Sequence, residues 1–308
     1  MRAAGLLLCY LGGVFLLGAL LAPWLFQAGQ WAGGEFAPLK GLAKQPFHRY
    51  VNRSLLAMAV LGLWPLLKAL HLGGRQALGL TSPLAARREL GLGLALGFGS
   101  LLLAVLIQTA GGTRSFQMGQ PPAVLLGLLA TATSAALAVA LLEETVFRGV
   151  VFSALRSRWP SWTALGASAV LYSAVHFFAR VEHTGPVSWN SGLTLLPHMM
   201  GGMAAPENLL PALTLAVAGT ALGLARERTG NLWFAVGLHA GWVFWLKVFK
   251  TGTVSTGTSN AFWGTERLLD GWLACLVMAG VLAVVARLPR REQAAAGPDE
   301  SATRSTCP

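Results

Sequence analysis

Apolar side chains run in long blocks along this chain, and polar ones gather between them. The blocks fall at about 5–26, 52–72, 89–110, 122–156, 160–178, 208–224, 232–249 and 268–288. Most approach or exceed the roughly 18–20 residues that carry a helix across a bilayer. The pattern predicts an all-α, polytopic membrane protein with about eight transmembrane helices. A shorter stretch at 190–206, interrupted by Gly and Pro, predicts a re-entrant or surface piece. The block at 122–156 is too long for one straight span. It is expected to emerge near Arg156 and Arg158, with Pro160 opening the next helix. The stretch Leu6–Phe26 is long for the apolar core of a signal peptide and reads as a first membrane helix. No repeat of fixed period is present.

Composition strengthens this reading. The 308 residues are 54% hydrophobic and 11% charged, where a soluble domain carries about 25% charged residues. The 37 glycines suit close helix packing, and the eleven tryptophans suit interfacial anchors. A formal charge of +11 would point to nucleic acid in a soluble protein. Here Lys and Arg sit mainly in short loops, so they read as topology signals and contacts to anionic lipid. With no basic stripe among exposed aromatics and no recognition motif, no nucleic-acid partner is expected. Arg75, Arg87 and Arg88 mark one inside loop, Arg156 and Arg158 a second, and Arg226 and Arg228 a third. Arg287, Arg290 and Arg291 mark an inside C-terminus. Eight spans then put both termini in the cytoplasm, with the plasma membrane as the expected location. Loop 27–51 resists this scheme: Lys40, Lys44 and Arg49, with Arg53 just beyond, fall on the outside, so it is either an amphipathic surface piece or a sign that the first helix is misplaced. Cys9, Cys275 and Cys307 form no CxxC pair and imply neither a disulfide framework nor a thiolate metal site. The tail from Glu292 has little to bury and is expected to be disordered.

Charged groups inside apolar blocks are expensive and tend to face a cavity or a partner. Residues 141–150 read LLEETVFRGV. Glu143 and Glu144 are adjacent on a predicted helix and point about 100° apart. Arg148 lies one turn after Glu144, so an ion pair between them is the structural reading. Glu143 is left on another side without a local cation. At 1.5 Å per residue it lies about 20 Å above the inside turn at 156–160, and His176 lies about 24 Å up the returning helix. His239, in GLHAGWVF, lies roughly 15 Å above the inside loop at Arg228. Three helices thus bring Glu143, His176 and His239 to similar depth. A carboxylate in a partly dry cavity can act as general base on water. One histidine can orient that water or relay a proton, and another can stabilise an oxyanion. The same trio matches a zinc ligand set; spacing leaves metal-free and metal-assisted attack both open.

These residues carry a resemblance. EETVFR resembles the EExxxR motif of the CPBP membrane protease family, also called the Abi or CAAX-protease-and-bacteriocin-processing family. YSAVH at 172–176 resembles its FxxxH motif, with Tyr172 in place of Phe. HAGWV at 239–243 resembles its HxxxN motif, with Val243 where Asn is usual. The likeness covers about 123–250. It implies a membrane-embedded endopeptidase with a CAAX-protease-like helical core, acting on a membrane protein or peptide by glutamate- and histidine-activated water. It implies Glu143 as the catalytic glutamate, His176 as its assistant and His239 on the oxyanion side, with Glu144, Arg148 and Tyr172 supporting them. The cofactor is left as zinc, held by Glu143, His176 and His239, or none. The substrate class is CAAX-type or bacteriocin and peptide processing. The corresponding layout is N-terminal helices and loops at 1–121, a catalytic core at 122–250, a C-terminal membrane helix at 251–290 and a tail at 291–308.

Val243 departs from the family pattern, since valine donates no hydrogen bond. Losing one oxyanion donor lowers rate about 10²–10³-fold. Trp242 or Asn190 are the candidate replacements. The rival reading is a non-catalytic scaffold or immunity-type protein that binds a partner through the same cavity. A proton-coupled transporter ranks last, because no paired broken helices are evident. Each histidine also has a plain interhelical reading. His198 reads as a loop or re-entrant residue, and His183, beside Glu182, as solvated. WVFWLKVF at 242–249 reads as lipid-facing or packed surface, with groove lining as the alternative. Met199, Met200 and Met203 either soften a substrate entrance or fill gaps. HExxH and GxGD motifs are missing, and GASA at 166–169 makes no serine site.

Overall fold

The computed structural model describes residues 2–71, 74–76, 78–117, 119–257, 259–265 and 267–290. The predicted tail at 291–308, with Cys307, lies outside the described residues. Among the described residues the regular structure is helical apart from one small ribbon. Its principal helices are α1 (Arg2–Glu35), α2 (Phe47–Ala69), α3 (Arg87–Ala110), α4 (Pro122–Glu144), α5 (Ser161–Ala174), α6 (Ser191–Met200), α7 (Leu209–Thr229), α8 (Trp233–Gly252) and α9 (Trp272–Ala286). Strands β1 (Arg114–Phe116) and β2 (Thr253–Ser255) follow α3 and α8 and pair antiparallel, with Ser115 opposite Val254.

Among the described residues, five helical segments are long and apolar enough to cross a membrane: Gly5–Glu35, Phe47–Ala69, Arg87–Ala110, Pro122–Arg156 and Pro206–Thr229. This makes a polytopic helical membrane protein. The pattern predicts eight spans, and the difference has local causes. Helices α5 and α9 have only 14 and 15 residues, or about 21–23 Å against a hydrocarbon layer near 30 Å. Helix α8 has 20 residues but lies inside the protein, against α3, α4 and α7. The awkward loop at 27–51 is mostly helix. Helix α1 runs on to Glu35 and α2 begins at Phe47. Only short helical turns, Ala37–Leu39 and Lys40–Ala43, separate them.

Backbones approach closely where α3 meets α8. Gly93 and Gly97 on α3 face the carbonyls of Phe234 and Leu238, while Gly237 and Gly241 on α8 face Leu90 O and Phe98 N. Both helices thus present small residues four apart, which lets main chains touch where lipid offers little hydrophobic driving force. Around this seam Leu101, Leu222, Leu238 and Met278 form the larger apolar cluster. A second cluster joins α1, α2 and α6 through Ala19, Val51 and Met199. Met199 is therefore gap-filling. Gly192 of α6 lies against Ala19 O of α1, so the predicted piece at 190–206 is a short helix seated on the first one.

Helix α4 does not stop at Glu144. It widens into a π-helix over Thr145–Phe152, then returns to α form over Ser153–Arg156. Such wide turns occur frequently at functional sites. The N-cap of α5 is Pro160, so the helix begins at Ser161, one position after the predicted start. Helix α7 ends at Gly230, in a left-handed conformation at φ 72°, with Arg226 and Arg228 in its last turn. Glycine tolerates that backbone, and the arginines face the negative end of the helix dipole.

Candidate active site

Two adjacent glutamates at the end of α4 meet opposite environments. Glu144 and Arg148 are fully buried, and Arg148 Nη1 donates to Glu144 Oε1 at 3.0 Å. Arg148 Nη2 donates to Gly219 O on α7 at 3.2 Å, and the guanidinium lies 4.3 Å from the Tyr172 ring centroid. Glu143 instead lines a cavity of about 1470 Å³ shared with Tyr172, His176, His239 and Val243. The angle between successive helical side chains is what separates them.

His176 and His239 converge on Glu143. Their Nε2 atoms stand 3.6 and 3.9 Å from Glu143 Oε2. These separations exceed hydrogen-bond length and suit a shared water or a substrate atom. Glu143 Oε2 is buried yet has no hydrogen-bond partner among the described residues. Buried carboxylate oxygens are seldom left so.

The other ring nitrogens are committed. His176 Nδ1 lies 2.7 Å from Tyr172 O, and His239 Nδ1 lies 2.8 Å from Glu144 Oε1. Both partners only accept, so both Nδ1 atoms carry the proton. In the neutral rings each Nε2 then presents a lone pair toward Glu143. Tyr172 packs 4.6 Å from the His176 ring and edge-on to the His239 ring at 6.2 Å. His176 itself lies in a 3-10 turn, Val175–Phe177, just past the end of α5. The predicted helix would have run through it.

Residues 124–245 match the family model described as type II CAAX prenyl endopeptidase, Rce1-like. The match is partial, covering less than half of the 308 residues, and nearly coincides with the stretch that carries the three motifs. No curated protein and no solved structure matches the chain. With the buried His–Glu pairs, the match is consistent with an intramembrane protease-like function in general terms.

Several expected residues lie elsewhere or are otherwise engaged. Trp242 lines the cavity, but its indole N–H donates to Ser100 Oγ on α3 at 3.0 Å. Asn190, whose Oδ1 accepts from Ser188 Oγ at the start of α6, does not line the cavity. Neither is placed as an oxyanion donor. Asn208 does line the cavity, with Nδ2 donating to Gly202 O at 2.8 Å; it was not among the predicted candidates. His198 is exposed and bonded to Thr194 O, while His183 packs against Phe47. The 242–249 stretch is not lipid-facing: Trp242, Trp245, Val248 and Phe249 are buried, and Val243 and Leu246 line the cavity.

The zinc alternative meets a geometric obstacle. Donors at about 2.0–2.2 Å from a tetrahedral zinc stand about 3.3 Å apart. The 3.6 and 3.9 Å separations exceed that, and no group of three or more His, Cys, Asp or Glu among the described residues could hold a metal ion. The trio as arranged does not fit zinc.

Proposed function

We propose that this protein is an intramembrane endopeptidase that hydrolyses a peptide bond in a membrane protein or peptide, with a water activated at Glu143. The observation carrying this reading is the unpartnered Glu143 Oε2, buried in a cavity wall and faced by two histidine Nε2 atoms. Glu143 takes one proton from water as the water oxygen bonds to the scissile carbonyl carbon. The carbonyl oxygen becomes an oxyanion. His239 stabilises it as the imidazolium, because the neutral ring has already committed its only N–H to Glu144. His176, held by Tyr172 O, relays the proton to the leaving amine as the C–N bond breaks. No acyl-enzyme forms. Glu144 and Arg148 fix the His239 ring, while Tyr172 packs between the two histidines. In this reading the catalytic core is 122–250, held among the membrane-spanning helices of a plasma-membrane protein. CAAX-type and other peptide substrates fit equally.

A scaffold reading rests on Val243, which brings an apolar side chain to the cavity wall at the position where the family carries a donor. Membrane-protein termini compared by mass spectrometry between cells making the parent protein and cells making Glu143→Gln at equal abundance separate the two. Glu143→Gln keeps the shape and removes the base, so cleavage is expected to fall by at least about 10²-fold. Identical termini in both cell types would sink the protease reading.

A further inference from the structure

The cavity extends past the residues the chemistry above uses, to the C-terminal end of α8, where Lys250 lines it. Arg180 and Arg267 line the same cavity; all three are exposed, and none makes an ion pair with a described residue. A fourth cation, Arg114, is buried in the same wall, with Nε donating to Thr253 Oγ1 at 3.2 Å and its guanidinium stacked on Phe249. The described acids lining the cavity are Glu143 and Asp270, whose Oδ1 accepts the Thr265 N–H at 2.9 Å. Among the described residues, cations therefore outnumber acids on the wall beyond Glu143.

Strand β2 borders it. All three β2 residues line the cavity, whereas β1 contributes only Arg114. The flanking bonds Thr256 N–H to Thr113 O, 3.1 Å, and Gln117 N–H to Gly252 O, 2.9 Å, fix the ribbon's phase. Gly252, Val254 and Thr256 turn their peptide groups toward β1. The intervening Thr253 and Ser255 turn theirs to the open edge. No other described strand occupies that edge. An open strand edge is a template for one more strand.

We infer that this end is a recognition subsite for an extended, acidic peptide segment, which pairs with the β2 edge and places a carboxylate against Lys250, in a cavity that Arg267 and Arg180 also line. The inference rests on the protease reading for the identity of the bound chain. Charge complementarity selects the occupant, and continuity of one cavity ties it to the reacting bond. From His239 to Lys250, α8 rises about 16 Å. An extended peptide covers that in about five residues at 3.3 Å each. The carboxylate therefore lies about five residues from the cleaved bond, less the reach of the basic side chains. It is either an Asp or Glu side chain or the chain terminus.

The test uses the full-length Glu143→Gln protein in phosphatidylcholine nanodiscs. The probe is a fluorescein-labelled decapeptide of alternating Val and Thr that ends in two Glu residues and a free carboxyl. Binding is expected to be at least about tenfold tighter than for the Gln-ended C-terminal amide. Adding Lys250→Glu with Arg267→Glu should erase that preference, and the milder Lys250→Gln with Arg267→Gln should remove most of it. N-methylation of alternate peptide nitrogens should weaken binding about tenfold by blocking strand pairing. A Glu-ended amide distinguishes side-chain from terminal carboxylate. Equal binding of acidic and neutral peptides would overturn the inference. So would charge reversal that lowers only affinity for phosphatidylglycerol vesicles, which would make this end a lipid site. Selective binding by Glu143→Gln, with no cleavage of the decapeptide by the parent protein, would keep the subsite and remove the protease reading.

Discussion

Replacing Arg148 with Met should destabilise the protein severely, and removing its partner as well should repair part of the damage. Arg148 and Glu144 are both without solvent exposure. Arg148→Met deletes the 3.0 Å bond to Glu144 and the 3.2 Å bond to Gly219 O. The Glu144 carboxylate is then left in a dry site with only His239 Nδ1 as donor. Breaking a buried pair by removing one partner costs about 3–5 kcal/mol. At 1.4 kcal/mol per decade, that is about 10²–10⁴ in the folded-to-unfolded ratio. Glu144→Gln with Arg148→Met removes both charges together. Its loss should be about 1–3 kcal/mol, set by missing hydrogen bonds rather than by a stranded charge. Reversible unfolding in bicelles, followed by tryptophan fluorescence, measures all four corners of the double-mutant cycle. Arg148→Met within about 1 kcal/mol of the parent would refute the reasoning. So would a double variant less stable than Arg148→Met alone.

Three further substitutions probe the packing and the cavity. Gly237→Leu drives a side chain into the main chain of α3 at Leu90 and Leu94; a loss of at least about 1–3 kcal/mol in the same unfolding assay is expected, and unchanged stability would contradict the close α3–α8 seam. Val243→Asn adds a donor to the cavity wall, and cleavage measured by new termini should rise by about 10-fold or more; no gain, with parent activity present, would mean that His239 alone carries the oxyanion. Trp242→Phe removes the indole bond to Ser100 and should lower stability by about 1 kcal/mol without abolishing cleavage; complete loss of cleavage at normal stability would reassign Trp242 to the chemistry.

Much of the candidate site was legible because its chemistry is out of place in an apolar block. Glu143, Glu144 and Arg148 stand out against LL and VV neighbours, and the Glu144–Arg148 pair follows from helical spacing alone. The shared depth of Glu143, His176 and His239 follows from counting residues away from basic turns. What counting misses is ring orientation. Nothing in HAGWV shows that His239 spends its Nδ1–H on Glu144, and that bond determines which protonation state can face an oxyanion. The π-turn after Glu144 is equally invisible, since nothing in the residue types of TVFRGVVF specifies a wider turn. The same holds for the commitment of Trp242 to Ser100, which removes it as a replacement donor.

By itself the sequence determined the helical class, the membrane setting and the polar trio. Long apolar blocks must satisfy their backbones internally in lipid, and an intramembrane carboxylate has few tolerable settings. Only the tertiary structure decided which helices touch. The α3–α8 seam depends on two pairs of glycines, Gly93 with Gly97 and Gly237 with Gly241, far apart in the chain. Their partnership is written in complementary surface shape rather than in periodicity. The cationic lining of the cavity is also a product of folding. Arg114, Arg180, Lys250 and Arg267 come from four separate segments, each of which reads alone as an ordinary basic residue near a membrane boundary. Folding sets them around one cavity, beside an open strand edge, because α3 and α8 pack closely enough for the chain after each to meet as a ribbon.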